Sequence, residues 1–212
     1  MTRVFRLPPG ASLPEPDLQE VARAVREARL VAFPTDTVYG LGTTALIRAA
    51  VRRIYDVKRR DSMKPLPILV HSSSEARRWA CWTPAAETLA RRFWPGPLTL
   101  ALRPTKEGRA LTFAEFPLVA FRVPDHPLLL SLLKASGVPW ASSSANRSGM
   151  PELCEGESVA AEFDGAVDFV IASGRSGGTV STVVDASGEK PLVLREGALS
   201  REDIERAVMT GS

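Results

Sequence analysis

Residues 30–42 read L-V-A-F-P-T-D-T-V-Y-G-L-G, and the reading of the whole chain turns on them. Leu30, Val31, Ala32 and Phe33 form a short continuous apolar run, the pattern of a strand buried on both faces. Pro34 ends the run, and residues 34–42 then bring two threonine hydroxyls, a carboxylate, a phenol and two glycines into nine positions. Such a segment makes a poor core. It makes a good floor for a small polar ligand, because hydroxyls give short, orientable hydrogen bonds and glycine lets backbones approach closely. Gly40 and Gly42 are expected to serve that close packing rather than to touch a ligand.

Outward from this segment, helical and strand patterns alternate. Residues 17–29 place Leu18, Val21, Ala22, Val25 and Ala28 on one helical face, and residues 46–57 do the same with Val51, Ile54 and Tyr55. Lys58 opens a loop, K-R-R-D-S-M-K-P, that runs to Pro65. The apolar run 66–70 contains Pro67, which predicts a strand at a sheet edge or one with a bulge. Further helices are expected over 74–80, 84–93 and 126–135. Further strands are expected over 98–102, 118–123, 140–143, 169–172, 182–184 and 192–194. Ser200, three residues before Asp203, should cap a last helix. Interleaved helices and strands predict an α/β layered fold around a twisted mixed sheet, in one domain over residues 1–212.

Composition agrees with an ordinary globular chain: 44% hydrophobic and 24% charged residues exclude disorder and a coiled coil. No apolar run reaches the length of a membrane span, and the N-terminus lacks a signal core, so a cytoplasmic protein with no membrane contact is expected. Cys81 and Cys154 are too few and too isolated for a metal site and are read as free thiols. A net charge of +3 permits contact with phosphates or nucleic acid without requiring it.

Four polar clusters fall at ends of the expected strands, where α/β folds gather their binding residues. The first is Thr35, Asp36, Thr37 and Tyr39. The second is Lys58, Arg60 and Lys64, a combination of point charge and forked guanidinium suited to neutralising several phosphate oxygens at once. The third is S-S-S-A-N-R-S-G, residues 142–149, whose hydroxyls and Asn146 amide can meet phosphate oxygens or a base. The fourth pairs Ser181 with Arg195. The P-loop, dinucleotide and nucleophile-elbow motifs are absent, and His71 and His126 lack the spacing of a helical zinc pair. What remains is a set of hydroxyls, amides and cations that bind and orient, which suits phosphate or nucleotidyl chemistry.

Taken in order, P-T-D-T-V-Y-G-L-G, Lys58-x-Arg60 with Lys64-Pro65, W-P-G-P-L-T at 94–99, F-R-V-P-D-H-P at 121–127, Ser144-x-Asn146, and S-T-V-V-D with the later Arg195 resemble the YrdC-like family of threonylcarbamoyl-adenylate synthases. The resemblance covers most of the chain and implies a YrdC-like domain of the short, single-domain bacterial type, with helices and sheet around a concave basic cleft. It implies formation of threonylcarbamoyl-AMP and pyrophosphate from ATP, bicarbonate and L-threonine, the first step of threonylcarbamoyladenosine formation in tRNA. Thr37, His71, Arg122 and Ser181 would hold threonine. Lys58, Arg60, Lys64, Ser144, Asn146, Cys154 and Arg195 would hold ATP, with Cys154 standing where the family usually has a hydroxyl residue. Lys58 and Arg60 would also be catalytic, stabilising charge on the phosphates. Mg2+ would be carried mainly by the nucleotide, with no protein metal site, and no side chain stands out as a general base. The implied partners are a downstream tRNA threonylcarbamoyl transferase machinery and tRNA or double-stranded RNA. The competing reading is a non-catalytic RNA-binding paralogue of the same fold.

Overall fold

The computed structural model describes residues 1–111 and 116–209. Ten strands form one mixed sheet in the order β1-β8-β2-β3-β7-β4-β6-β5-β9-β10. In chain order these strands are β1 (Arg3–Arg6), β2 (Val31–Phe33), β3 (Gly40–Thr44), β4 (Ile68–Leu69), β5 (Leu98–Leu102), β6 (Val119–Arg122), β7 (Trp140–Ser144), β8 (Phe169–Ala172), β9 (Thr182–Asp185) and β10 (Leu192–Arg195). The helices are α1 (Glu15–Arg26), α2 (Arg48–Lys58), α3 (Ser73–Trp79), α4 (Pro84–Phe93), α5 (Pro127–Ser136), α6 (Gly156–Glu162) and α7 (Arg201–Met209). Among the described residues no helix is long and apolar enough to cross a membrane.

Strand alternation sorts side chains onto two faces. On one face Ala32, Leu41, Ile68, Leu98, Leu100, Leu102, Phe121, Ala141, Val170 and Val184 join a core closed by α2, α3, α4, α6 and α7. The opposite face is divided. Over β1, β8 and β2 and the start of β7 it is apolar, and Val31, Phe33, Trp140 and Ile171 pack under α1 and α5. Farther along, the same face carries Thr99, Ala120, Arg122, Ser142 and Ser144, which line a cavity instead. The site is therefore the half of one sheet face whose residues are too small or too polar to form core.

The opening segment divides where its chemistry changes. β2 pairs antiparallel with β3, with Phe33 opposite Gly40 and Val31 opposite Gly42. A Cβ on Gly40 would lie 2.7 Å from the Phe33 ring, and one on Gly42 would lie 2.8 Å from it, so the two glycines make room for the ring. Phe33 also meets Trp140 edge-on at 5.4 Å. Gly40 and Gly42 thus serve packing, as expected, although β3 itself, glycine-rich, gives no strand signal in the sequence.

Two expectations need correction. The strand containing Pro67 is not at an edge: β4 lies inside the sheet between β7 and β6. Pro67 sits just before the paired residues, where its carbonyl still accepts from Ser142 N at 2.9 Å and its missing N–H costs no ladder bond. Lys58 does not open a loop but completes α2, and Arg59 (φ 52°) caps it in the left-handed conformation. Ser200 does cap α7, accepting from Asp203 N at 3.1 Å. Strand β1 and helix α6 have no counterpart in the sequence reading.

Candidate active site

One cavity of about 230 Å³ gathers most of the predicted residues: Thr37, Arg60, Arg122, Ser144, Ser181 and Arg195 line it. Thr35, Thr99 and Glu152 line it too. Lys58, Lys64, His71, Asn146 and Cys154 are not among the lining residues.

One end is built on Arg122, the last residue of β6, which is 7% exposed. Its Nε donates to Gly96 O at 3.0 Å, Nη1 to Thr37 Oγ1 at 2.8 Å and Nη2 to Asp36 Oδ1 at 2.6 Å. Burial pulls the guanidinium pKa below its usual value, and the Asp36 carboxylate pulls it back up. The proton arrangement beside it is determined by the neighbours. Thr35 Oγ1 donates to Val38 O at 2.7 Å, so across the 2.9 Å contact between the two hydroxyls Thr37 is the donor. Thr37 Oγ1 therefore has no proton to offer the cavity. It accepts from Arg122 and keeps one lone pair free, which suits an amine or ammonium. Ser181 Oγ lies 2.9 Å from Thr99 Oγ1 on the adjacent strand.

The other end is cationic. Arg195 Nη2 donates to Ser181 O at 2.8 Å, and burial followed by repulsion from Arg122 and Arg60 lowers its pKa, with Glu152 opposing. Arg60 reaches Ser143 Oγ and Pro65 O only at 3.4 Å each, and its buried Nε has no partner. Among the described residues neither Arg60 nor Arg195 has a carboxylate within ion-pair distance. Two cations that repel each other across a cavity are a receptor for an anion that bridges them.

Lys58 works from behind this wall. It is 2% exposed, and Nζ donates to Asn146 O at 2.6 Å, to Asn146 Oδ1 at 2.8 Å and to Ser144 O. All three ammonium protons are thus committed to protein oxygens. Asn146 is locked further, as Oδ1 accepts from Ser144 Oγ at 2.7 Å and Nδ2 donates to Met150 O at 2.5 Å. Burial and then the Arg60 guanidinium depress the Lys58 pKa to about 8, with Glu152 opposing. The left-handed turn at Arg59 explains how Lys58 and Arg60, two residues apart, face opposite ways.

The remaining predicted residues lie at the periphery. His71 follows β4, and its backbone N–H donates to Glu75 Oε2 at 2.8 Å, the carboxylate that also sits beside its imidazole Nδ1. Lys64 is exposed in the loop after α2, and Cys154, half-buried, is a free thiol, as is Cys81. Sequence reasoning missed Glu152 and the role of Asp36 as the carboxylate partner of Arg122. A signal for the site face was present in the alternations L-T-L-A-L and V-A-F-R, each apolar toward the core and small or polar on the other side. No local signal pointed to Glu152. Among the described residues no group of three or more His, Cys, Asp or Glu side chains is placed to hold a metal ion.

Comparison with known proteins places this arrangement. A family model for the Sua5/YciO/YrdC domain, described as telomere recombination, matches residues 23–197. The chain belongs to the Sua5/YciO/YrdC family. The threonylcarbamoyl-AMP synthase of Bacillus subtilis is 40% identical over 198 residues, which are 92% of this chain and 57% of that protein. The crystal structure of Pyrococcus abyssi Sua5 complexed with L-threonine superposes with a TM-score of 0.87 at 39% identity, covering 98% of this chain and 60% of that one. Escherichia coli YciO superposes at 0.86 with 26% identity, over 96% of this chain and all of its own. This Sua5/YciO/YrdC chain therefore spans a little over half the length of the curated synthase from Bacillus subtilis.

Proposed function

We propose that the protein is an L-threonylcarbamoyladenylate synthase, a nucleotidyltransferase that converts L-threonine, bicarbonate and ATP to threonylcarbamoyl-AMP and pyrophosphate. The observation that carries this reading is the joining, in one cavity, of a receptor for an amino acid and a receptor for a polyanion. Arg122 retains two Nη protons beyond its three protein bonds and offers them to the threonine carboxylate, while the free lone pair of Thr37 Oγ1 accepts from the amine. Ser181 stands between this corner and Arg195, and with His71 at the end of β4 it completes the threonine set. Arg60 and Arg195 receive the triphosphate, and the Ser144 hydroxyl joins them when its proton turns from Asn146 Oδ1 to a phosphate oxygen. Lys64, in the exposed loop, and Cys154 contribute at the outer part of the nucleotide site.

In this mechanism the threonine amine adds to carbon dioxide with loss of a proton, or to bicarbonate with loss of water, and an oxygen of the resulting carbamate attacks the α-phosphorus in line, expelling pyrophosphate. Arg60 and Arg195 stabilise the charge that accumulates on the leaving group, and Lys58 keeps the Ser144–Asn146 turn rigid so that their donors need no reorganisation. The catalytic role expected of Lys58 is thereby recast as positioning. The cavity is smaller than the roughly 300–1,000 Å³ usual for ligand pockets. The nucleoside accordingly extends past its mouth. Mg2+ would be held on the nucleotide oxygens, where it neutralises phosphate charge, since the cavity lining offers Glu152 as its sole carboxylate among the described residues.

The adenylate product passes to a tRNA threonylcarbamoyl transferase, and contact with tRNA itself belongs to the same proposal. One domain over residues 1–212 and a cytoplasmic setting go with it. The test is threonine-dependent release of pyrophosphate by purified protein given ATP, Mg2+ and bicarbonate. Pyrophosphate release indifferent to threonine, or none at all, sinks the enzyme reading and leaves the non-catalytic RNA binder.

A further inference from the structure

Glu152 is the feature of the cavity that the reaction does not explain. It is the one carboxylate lining a space whose other charged lining residues, among those described, are Arg60, Arg122 and Arg195. Arg122 already has its carboxylate in Asp36. Arg60 and Arg195 do not, and Glu152 faces the space they share without closing to ion-pair distance with either.

The backbone holds Glu152 in that place from both sides. Asn146 Nδ2 donates to Met150 O at 2.5 Å, and Leu153 is tied twice, donating to Ala145 O at 3.3 Å and accepting from Tyr39 N at 3.2 Å. Tyr39 belongs to the cavity lining, and Asn146 to the turn that Lys58 clamps. The segment carrying Glu152 is thus built into the wall of the site, while its side chain remains exposed to solvent.

A carboxylate fixed at this point attracts the two arginines and repels any anion that enters between them. We propose that Glu152 is a built-in counter-ion of the polyanion site, which weakens anion binding enough for a product anion to leave. This inference rests on the nucleotide reading of the cavity. The interaction of Glu152 with Lys58 and Arg195, which opposes the depression of both their pKa values, agrees with it. For the proposed reaction the consequence is that pyrophosphate departs from a site that its cations alone would grip.

The probe is pyrophosphate, titrated calorimetrically into the full chain at low ionic strength with EDTA present. One negative charge removed from within several ångströms of a multiply charged anion, in a solvent-exposed setting, changes affinity by about threefold or more. Glu152→Gln should bind pyrophosphate tighter by that factor, and Glu152→Lys tighter still. Both differences should shrink as NaCl is raised. Equal or weaker binding by Glu152→Gln, with the unsubstituted protein binding normally, overturns the inference and leaves the nucleotide site intact. Binding by none of the three proteins overturns the nucleotide reading together with it.

Discussion

Lys58→Met isolates what the buried ammonium does. Methionine keeps most of the aliphatic stem but removes the donor of three bonds, to Ser144 O, Asn146 O and Asn146 Oδ1. Asn146 Oδ1 still accepts from Ser144 Oγ, and Ser144 O still accepts from Asn146 N at 3.1 Å, so one main-chain carbonyl, that of Asn146, is orphaned. It costs about 1–3 kcal/mol when buried. Removing the charge recovers part of its desolvation, leaving a net loss of about 1.5 kcal/mol. Lys58→Ala also deletes buried methylenes at about 0.8 kcal/mol each, for a total of about 4 kcal/mol. For a chain of this length 1 kcal/mol moves Tm by about 2–4 °C, so the expected falls are about 3–6 °C and about 8–16 °C. Arg60→Ala is the control: its two bonds are long and its side chain half-exposed, and its melt should move by less than about 3 °C. The assay is differential scanning calorimetry with ATP affinity measured on the same samples. A Lys58→Met protein that melts with the unsubstituted protein yet has lost ATP would refute the clamp and make Lys58 a direct phosphate ligand.

Further outcomes follow from the same geometry. The Lys58 pKa is depressed to about 8 in the folded state from 10.5, so between those values the unfolded chain holds the extra proton and stability rises with pH. Relative to Lys58→Met, the unsubstituted protein should gain about 2 kcal/mol between pH 7 and pH 9.5 in urea unfolding, and a flat difference would count against the depression. Asp36→Asn leaves the buried Arg122 without its carboxylate and should cost about 3 kcal/mol of stability and at least tenfold in threonine affinity; calorimetric titration reads the second. Thr37→Val removes the acceptor offered to the amine and should weaken threonine at least tenfold while leaving ATP affinity within twofold, a split that equal losses would contradict. Gly40→Ala pushes a methyl into the Phe33 ring and should cost about 1–3 kcal/mol by thermal melt, whereas an unchanged melt would mean the ring yields freely.

Much of the fold was legible because its signals are local. β5 and β8 fall where the apolar runs begin and end, α4 runs from a proline to the residue before Trp94, and Ser200 caps α7. Strand alternation even marked the site face, since Thr99, Ala120 and Arg122 sit at every second position between core residues. The elements that escaped were those without a local signature. β3 is G-L-G-T-T, which has strand geometry only because Phe33 fills the space its glycines leave. β4 was expected as a strand and escaped only in its place, since its two residues owe their central position to neighbours on both sides.

The family resemblance implied the grouping of Thr37, Arg60, Arg122, Ser144, Ser181 and Arg195 in one site, while local pattern by itself determined the layered α/β class and the register of apolar and polar faces. Periodicity carries that information because it depends on neighbours a few residues away. Only the tertiary structure decided which cations face the cavity and which face the protein. Lys58 turns inward because its three acceptors arrive from residues 86 and 88 positions away, and Arg60 turns outward across one left-handed residue. The same long-range closure placed Glu152 among arginines with which it shares no sequence pattern, and so set the charge balance of the site.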